Sequence, residues 1–235
     1  MDHDRLFKEL LTAFFAEFIA LFLPDAFVYL DASTLKFLDK ELFTDVTAGD
    51  KYEVDLLVKA RFQAQDAFFL VHVENPSTAQ ADFPRRMFTY FARLHEKYNL
   101  PVYPVALFSF DAPLCAEPDR YRVAFPGRSM LQFECVVIQL NRLSWRTFVT
   151  TPNPVACALM AKMRIARKDR PKVHKECVRL LGTLKLDPAR SKLIGGFIET
   201  YLQLNAEEMK QYERERATLS PEEKEITMVL MSSWE

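Results

Sequence analysis

Asp55 stands inside the apolar run EVDLLVKA, and Glu74 closes a second run, DAFFLVHVEN, nineteen residues further on. A carboxylate in an apolar strand is costly unless it is paired or bound to a cation. Strand side chains alternate between faces, so two arms joined by a short link can bring positions 55 and 74 together in one compatible register. Two carboxylates at a sheet edge make an oxygen-rich site suited to Mg²⁺ or Mn²⁺. Glu9, on an amphipathic helix, can add a third acid. The competing structural reading pairs Asp55 with Lys59 or Arg61 and leaves Glu74 as a solvated strand end.

Other chemistries find less support. The four histidines (3, 72, 95 and 174) are scattered, which disfavours a histidine-based zinc site. His72 shares a strand face with Glu74 and reads first as a hydrogen-bonded structural residue. The cysteines at 115, 135, 157 and 177 form no C-x-x-C pair, and there is no G-x-S-x-G elbow. Glycine is scarce, at 5 residues, and neither phosphate-binding glycine motif occurs. Within FPRRMFTYFARLHEKYN, Arg86, Tyr90 and Arg93 lie at spacings of four and three and share a helical face, which can meet a phosphate or solvent. Phe83, Phe88, Tyr90 and Phe91 read as helix core rather than a base-stacking platform.

These residues need a scaffold. The segment DHDRLFKELLTAFFAEFIALFLP predicts one helix with a wide apolar stripe at 7, 10, 11, 14, 15, 18, 19 and 22, ended by Pro24. STLKFLDKELF predicts a short strand or hairpin arm. Residues 52–62 and 66–75 predict two strands joined closely enough for a hairpin. Residues 81–99 predict a helix with Phe88, Phe91, Leu94 and Tyr98 inward, and 100–110 a buried strand. That order makes the flanking strands a parallel pair. YRVAFPG and LQFECVVIQLN add strands. Beyond about Ser144 the chain reads as helices at 154–166, 172–186, 188–204, 205–218 and 221–233. Asn153-Pro154, Asp187-Pro188 and Ser220-Pro221 are cap-then-proline starts. The expected organisation is a core over 1–150 and a helical C-terminal region over 151–235.

Hydrophobic residues make up 49% and charged residues 27% of the 235, enough apolar content for a sizeable core. The N-terminal apolar run carries Glu17, with Glu9 just before it, whereas a membrane span needs roughly 20 nearly uncharged residues. The expectation is a cytoplasmic protein with free thiols and no membrane contact. The net charge of −1 is unevenly spread. Residues 1–60 hold six Lys/Arg and twelve Asp/Glu, whereas 155–185 hold nine Lys/Arg and two acids. That basic segment is either a phosphate-facing patch or a solvated helical face.

The order of these features resembles the Rpn family of recombination-promoting nucleases and transposase-like proteins, within the PD-(D/E)XK restriction-endonuclease-like superfamily. EVDLLVK, VHVEN, FPRRMFTYFARLHEKYNLPVYPVALFS, RYRVAFPG, VIQLNRLSW and NPVACALMAKMRIARKDRP carry the resemblance, which covers most of the chain. The nuclease motif itself is short; the long Arg/Tyr helix is the more specific part. The resemblance implies an α/β fold with a central mixed β-sheet flanked by helices. It also implies Mg²⁺- or Mn²⁺-dependent endonucleolytic hydrolysis of DNA, linked to recombination or transposition in a bacterial cytoplasm. Asp55 matches the motif aspartate and Glu74 the second acid. The backbone carbonyl of Asn75 would be a further metal ligand, and Glu9 would match the acid of the first helix. The metal would acidify a bound water and neutralise phosphate charge, without a covalent enzyme intermediate.

One position departs from the pattern. Two residues after the acid the superfamily carries lysine and this family usually glutamine; here it is Pro76, which has neither a side-chain donor nor a backbone N–H. Gln80, Arg85, Arg86 and Lys59 are the candidate replacements. The alternative function is a catalytically degenerate nuclease fold that binds DNA or protein. A third reading makes 150–235 an oligomerisation module, against the simpler reading that its helices pack on the core.

Overall fold

The computed structural model describes residues 3–38, 56–63, 65–74 and 82–217, with backbone alone at 3, 4 and 74. The protein is α/β, with a mixed five-stranded sheet, associated helices and a helical C-terminal part, as its sequence predicts. The chain divides into two compact units, 22–139 and 1–21 with 140–235.

The sheet unit opens with α3 (Pro24–Phe27) and β1 (Leu30–Phe37), followed by β2 (Leu56–Phe62) and β3 (Gln65–Glu74). Helix α4 (Phe83–Tyr98) and β4 (Val102–Phe108) come next, then β5 (Arg120–Phe125), β6 (Arg128–Glu134) and β7 (Val136–Gln139). The sheet order is β1-β2-β3-β4-β7. Its first two pairings are antiparallel, whereas β4 runs parallel to both β3 and β7. The expected parallel pair around the crossover helix is therefore present.

The run FFLVHV is continuous rather than alternating because both of its faces are buried. Phe68 and Leu70 join the α4 side of the core, while Phe69 and Val71 on the opposite face are equally inaccessible. The β2–β3 reversal is tight: Phe62 faces Gln65, and Gln63 takes a left-handed φ of 51°. Helix α4 begins with Pro84 in its first turn and ends at a left-handed Asn99, whose N–H bonds back to His95 O at 2.8 Å.

The inward stripe of α4 is Phe83, Met87, Tyr90 and Leu94, together with Pro84. This corrects part of the sequence expectation. Phe88 and Phe91 are only partly buried and lie to one side of the stripe, where Phe88 meets Tyr121 and both rings meet Phe133 of the β5–β6 hairpin. A second difference concerns LQFECVVIQLN, which is not one strand. It changes sheets at Cys135: β6 pairs with β5, and β7 joins the central sheet beside β4. Cys135 donates its N–H (2.9 Å) and its thiol (3.6 Å) to Asp119 O, fixing the corner.

The helical unit contains α1 (His3–Ala13) and most of α2 (Phe15–Phe22), with α5 (Pro154–Leu159), α6 (Arg170–Thr183), α7 (Pro188–Tyr201) and α8 (Ala206–Arg216). The first helix thus clusters with the C-terminal helices and not with the sheet. Its predicted stripe is buried from Phe7 to Ile19, Phe22 being half-buried. Phe7 packs edge-on against Phe197 of α7 at 4.9 Å, and Arg190 lies over the Phe14 ring. The predicted caps form: Asn153 accepts from Val155 and Ala156 N–H, and Asp187 from Arg190 N–H. Asn153 Nδ2 also donates to Glu17 O at 2.9 Å, tying α5 to α2. The segment 154–166 is broken by 3₁₀ turns, so α5 is shorter than expected. Ser220-Pro221 and the helix expected at 221–233 lie outside the described residues.

Candidate functional site

The antiparallel β2–β3 register sets the start of β2 and the end of β3 at one end of the sheet: Leu56, the residue after Asp55, faces Val71, and Glu74 closes β3. The parallel strands end there too, because Glu74 aligns with Phe108 and Phe108 with Gln139. The carboxyl ends of parallel strands are where open α/β sheets characteristically take ligands.

The first turn of α4 covers this end. Phe83 meets Phe108 at 4.9 Å and stacks on His72 at 5.9 Å. His72 is buried between Phe83 and Tyr90, so its position follows from ring packing. The Arg86 guanidinium lies 5.4 Å from the centre of the Phe83 ring, a cation–π geometry, and its side chain is half-buried. Arg86 is thereby placed on the helix turn nearest the strand ends. Arg85 is exposed, 4.0 Å from Asp82.

The expected site is described only in part. Asp55, Asn75, Pro76 and Gln80 lie outside the described residues, and of Glu74 only the backbone is placed. Among the described residues no group of three or more His, Cys, Asp or Glu is arranged to hold a metal ion. Glu9 belongs to the helical unit, where its half-exposed carboxylate accepts from Arg5 Nε at 2.8 Å.

Two expectations change. Lys59 is not a spare donor for the position of Pro76: its Nζ sits 2.7 Å from Asp66, near the reversal at the far end of the hairpin. The Lys59 ammonium holds the Asp66 carboxyl below the usual carboxylate range. Arg61, at 3.8 Å, also faces Asp66. The other change concerns the Arg/Tyr stripe: Tyr90 is fully buried, as its reading as helix core expects, so Arg86, Tyr90 and Arg93 do not form a common phosphate-facing surface.

The sheet end carries polar groups that sequence reasoning missed. Gln139 is buried; its Oε1 accepts from Glu117 N–H at 3.1 Å and its Nε2 donates to Cys115 O at 2.9 Å. The Glu117 carboxyl is buried with one oxygen unbonded among the described residues, and burial pushes its pKa up. Ser109, just past β4, is fully buried. A polar residue ending VVIQ was a readable signal of the same kind as Glu74. Glu117, in the irregular stretch LCAEPD, gave none.

Three of the nine cations of the basic segment, Arg170, Lys175 and Arg179, are committed to internal ion pairs. Arg170 of α6 bonds Glu208 at 3.0 Å and Gln203 O at 2.7 Å. Lys175 lies 3.3 Å from Glu215, and Arg179 bonds Glu176 at 2.7 Å. Nearby, Arg146 reaches Asp169 at 2.7 Å. These contacts hold α6 to α8 and to the turns before it, so these three cations serve packing within the unit.

Comparison with protein-family models, with curated proteins and with solved structures finds no match to this chain. Among the described residues no helix is long and apolar enough to cross a membrane.

Proposed function

We propose that this protein is a divalent-metal-dependent DNA endonuclease of the PD-(D/E)XK type, acting in recombination or transposition. The observation that carries the reading is the β2–β3 register, which sets Leu56 and Glu74 at one sheet end under the first turn of α4. In this reading Asp55, Glu74 and the Asn75 carbonyl hold Mg²⁺ or Mn²⁺. The metal supplies an acidified water and neutralises charge on the scissile phosphate. Arg86, held over Phe83, faces the phosphate as a fixed cation. Gln80 and Arg85 are the remaining candidates for the donor that Pro76 lacks, while Glu9 is the least supported of the acids. The cytoplasm and a homo-oligomer belong to the same reading.

The test is plasmid nicking with Mg²⁺ or Mn²⁺. Asp55→Ala is expected to abolish cleavage; undiminished cleavage in that variant would overturn the assignment. Loss of one charge-stabilising donor costs about 10²–10³ in rate, so Pro76→Gln is expected to raise cleavage by a factor of that order.

Pro76 itself favours a second reading, a nuclease fold that binds DNA or protein without cutting. It predicts no metal-dependent cleavage by the wild-type chain at any enzyme concentration, and none from Pro76→Gln.

A further inference from the structure

The β5–β6 hairpin is an arm whose chemistry the metal site does not use. Its base is anchored: Phe133 is 6% exposed and packs on Phe88 and Phe91 of α4. Towards the turn the apolar side chains emerge, with Val123 at 36%, Met130 at 56% and Phe125 at 66% exposed. The turn is Pro126-Gly127, with Gly127 at φ +75°, the proline-then-glycine order of a type II turn. A six-residue strand is about 20 Å long, so this tip stands well away from its anchor.

The charges follow the same gradient. Arg120, at the base, lies 3.1 Å from Glu134 and 3.7 Å from Asp119. Arg122 and Arg128, nearer the tip, have no carboxylate within ion-pair distance among the described residues. Phe125 pairs with Arg128 and shares its face, whereas Arg122, paired with Gln132, lies on the other face. An apolar tip is therefore flanked by a cation on each face of a narrow ribbon.

We propose that this hairpin is an arm that enters the minor groove of duplex DNA. Phe125 and Met130 act as the apolar wedge, and Arg122 and Arg128 contact phosphates on the two walls. Minor-groove proteins insert such wedges between base steps and bend the duplex. The tip offers no bidentate amide for base edges, so the arm reads groove shape and deformability. The inference rests on DNA being the ligand and is independent of whether the metal site cuts.

The test uses the full chain, EDTA to prevent cleavage, and fluorescence anisotropy on a labelled duplex across a salt series. Arg122→Gln with Arg128→Gln is expected to weaken binding about tenfold and to reduce the slope of log affinity against log salt by about 2. Phe125→Ala is expected to keep that slope while lowering energy transfer between dyes on the two ends of the bound duplex. All three side chains are exposed, and circular dichroism verifies that the variants fold. Wild-type affinity and slope in the double arginine variant would overturn the arm alone. Absence of binding by the wild-type chain would overturn the arm and the DNA reading together. Sedimentation showing that Phe125→Ala dissociates a dimer, with DNA binding unchanged, would assign the arm to a second copy of this chain instead.

Discussion

Tyr90 is central at the residue scale because its ring closes the contact between α4 and the sheet. It is fully buried, with the His72 ring edge-on at 6.2 Å. Tyr90→Ala is expected to destabilise the protein by about 3–5 kcal/mol, the usual cost of deleting a buried aromatic ring, as measured by urea unfolding. A loss below about 1 kcal/mol would mean that the site collapses freely. The burial of Tyr90 shows what spacing alone can supply. Positions 86, 90 and 93 do lie along one stripe, but helical spacing fixes relative angles and not which angle meets the sheet. Glu74 was more legible, because an acid at the end of a continuous apolar run marks the end of a doubly buried strand. Lys59 was not, because its partner Asp66 is set by the hairpin register.

Among the elements, α6, α7 and α8 are joined by polar contacts as well as by apolar packing. His174 of α6 is buried; its Nε2 lies 3.1 Å from Glu199 of α7, and its ring meets Tyr212 of α8 edge-on at 4.9 Å. The hydrogen bond from His174 holds the Glu199 carboxyl below its usual range, and burial raises the Tyr212 hydroxyl to about 12. A carboxyl depressed in the folded state contributes stability above its unfolded pKa, about 4.3, and that contribution disappears as pH falls through the folded value. Glu199→Gln is therefore expected to lower stability at neutral pH and to flatten the loss below about pH 4, read from thermal melts across pH. An acid limb as steep as that of the wild type would remove Glu199 from this role. The caps of α5 and α7 were readable because capping is local. The partners of Arg170 and Lys175 were not, because Glu208 and Glu215 lie on another helix, 38 and 40 residues away.

At the scale of the whole molecule, the two units do not follow a cut near 150. The first helix belongs with the C-terminal helices because its stripe is too wide and too apolar to stand alone: seven side chains from Phe7 to Ile19 are buried. Each is worth about 1.5–3 kcal/mol of burial. A chain ending at 150 keeps α1 and α2 but loses Phe197, Arg190 and Asn153, which contact them. It is expected to aggregate by light scattering; a soluble, native-like monomer of 1–150 would contradict this. The strand that changes sheets at Cys135 has a mechanical consequence. Burial and the nearby Asp119 push the Cys135 thiol up to about 11, so it stays protonated and keeps its bond to Asp119 O. β6 and β7 are therefore two ends of one lever with its fulcrum at this corner. β7 is the outer strand of the described sheet, paired with β4 through four residue pairs and tied at its end by Gln139 to Glu117 and Cys115. A load on the hairpin tip is borne first by the Phe133 contacts with α4 and by the Cys135 corner, and through that corner reaches the four-pair ladder of β7, one strand away from the strand that ends in Glu74.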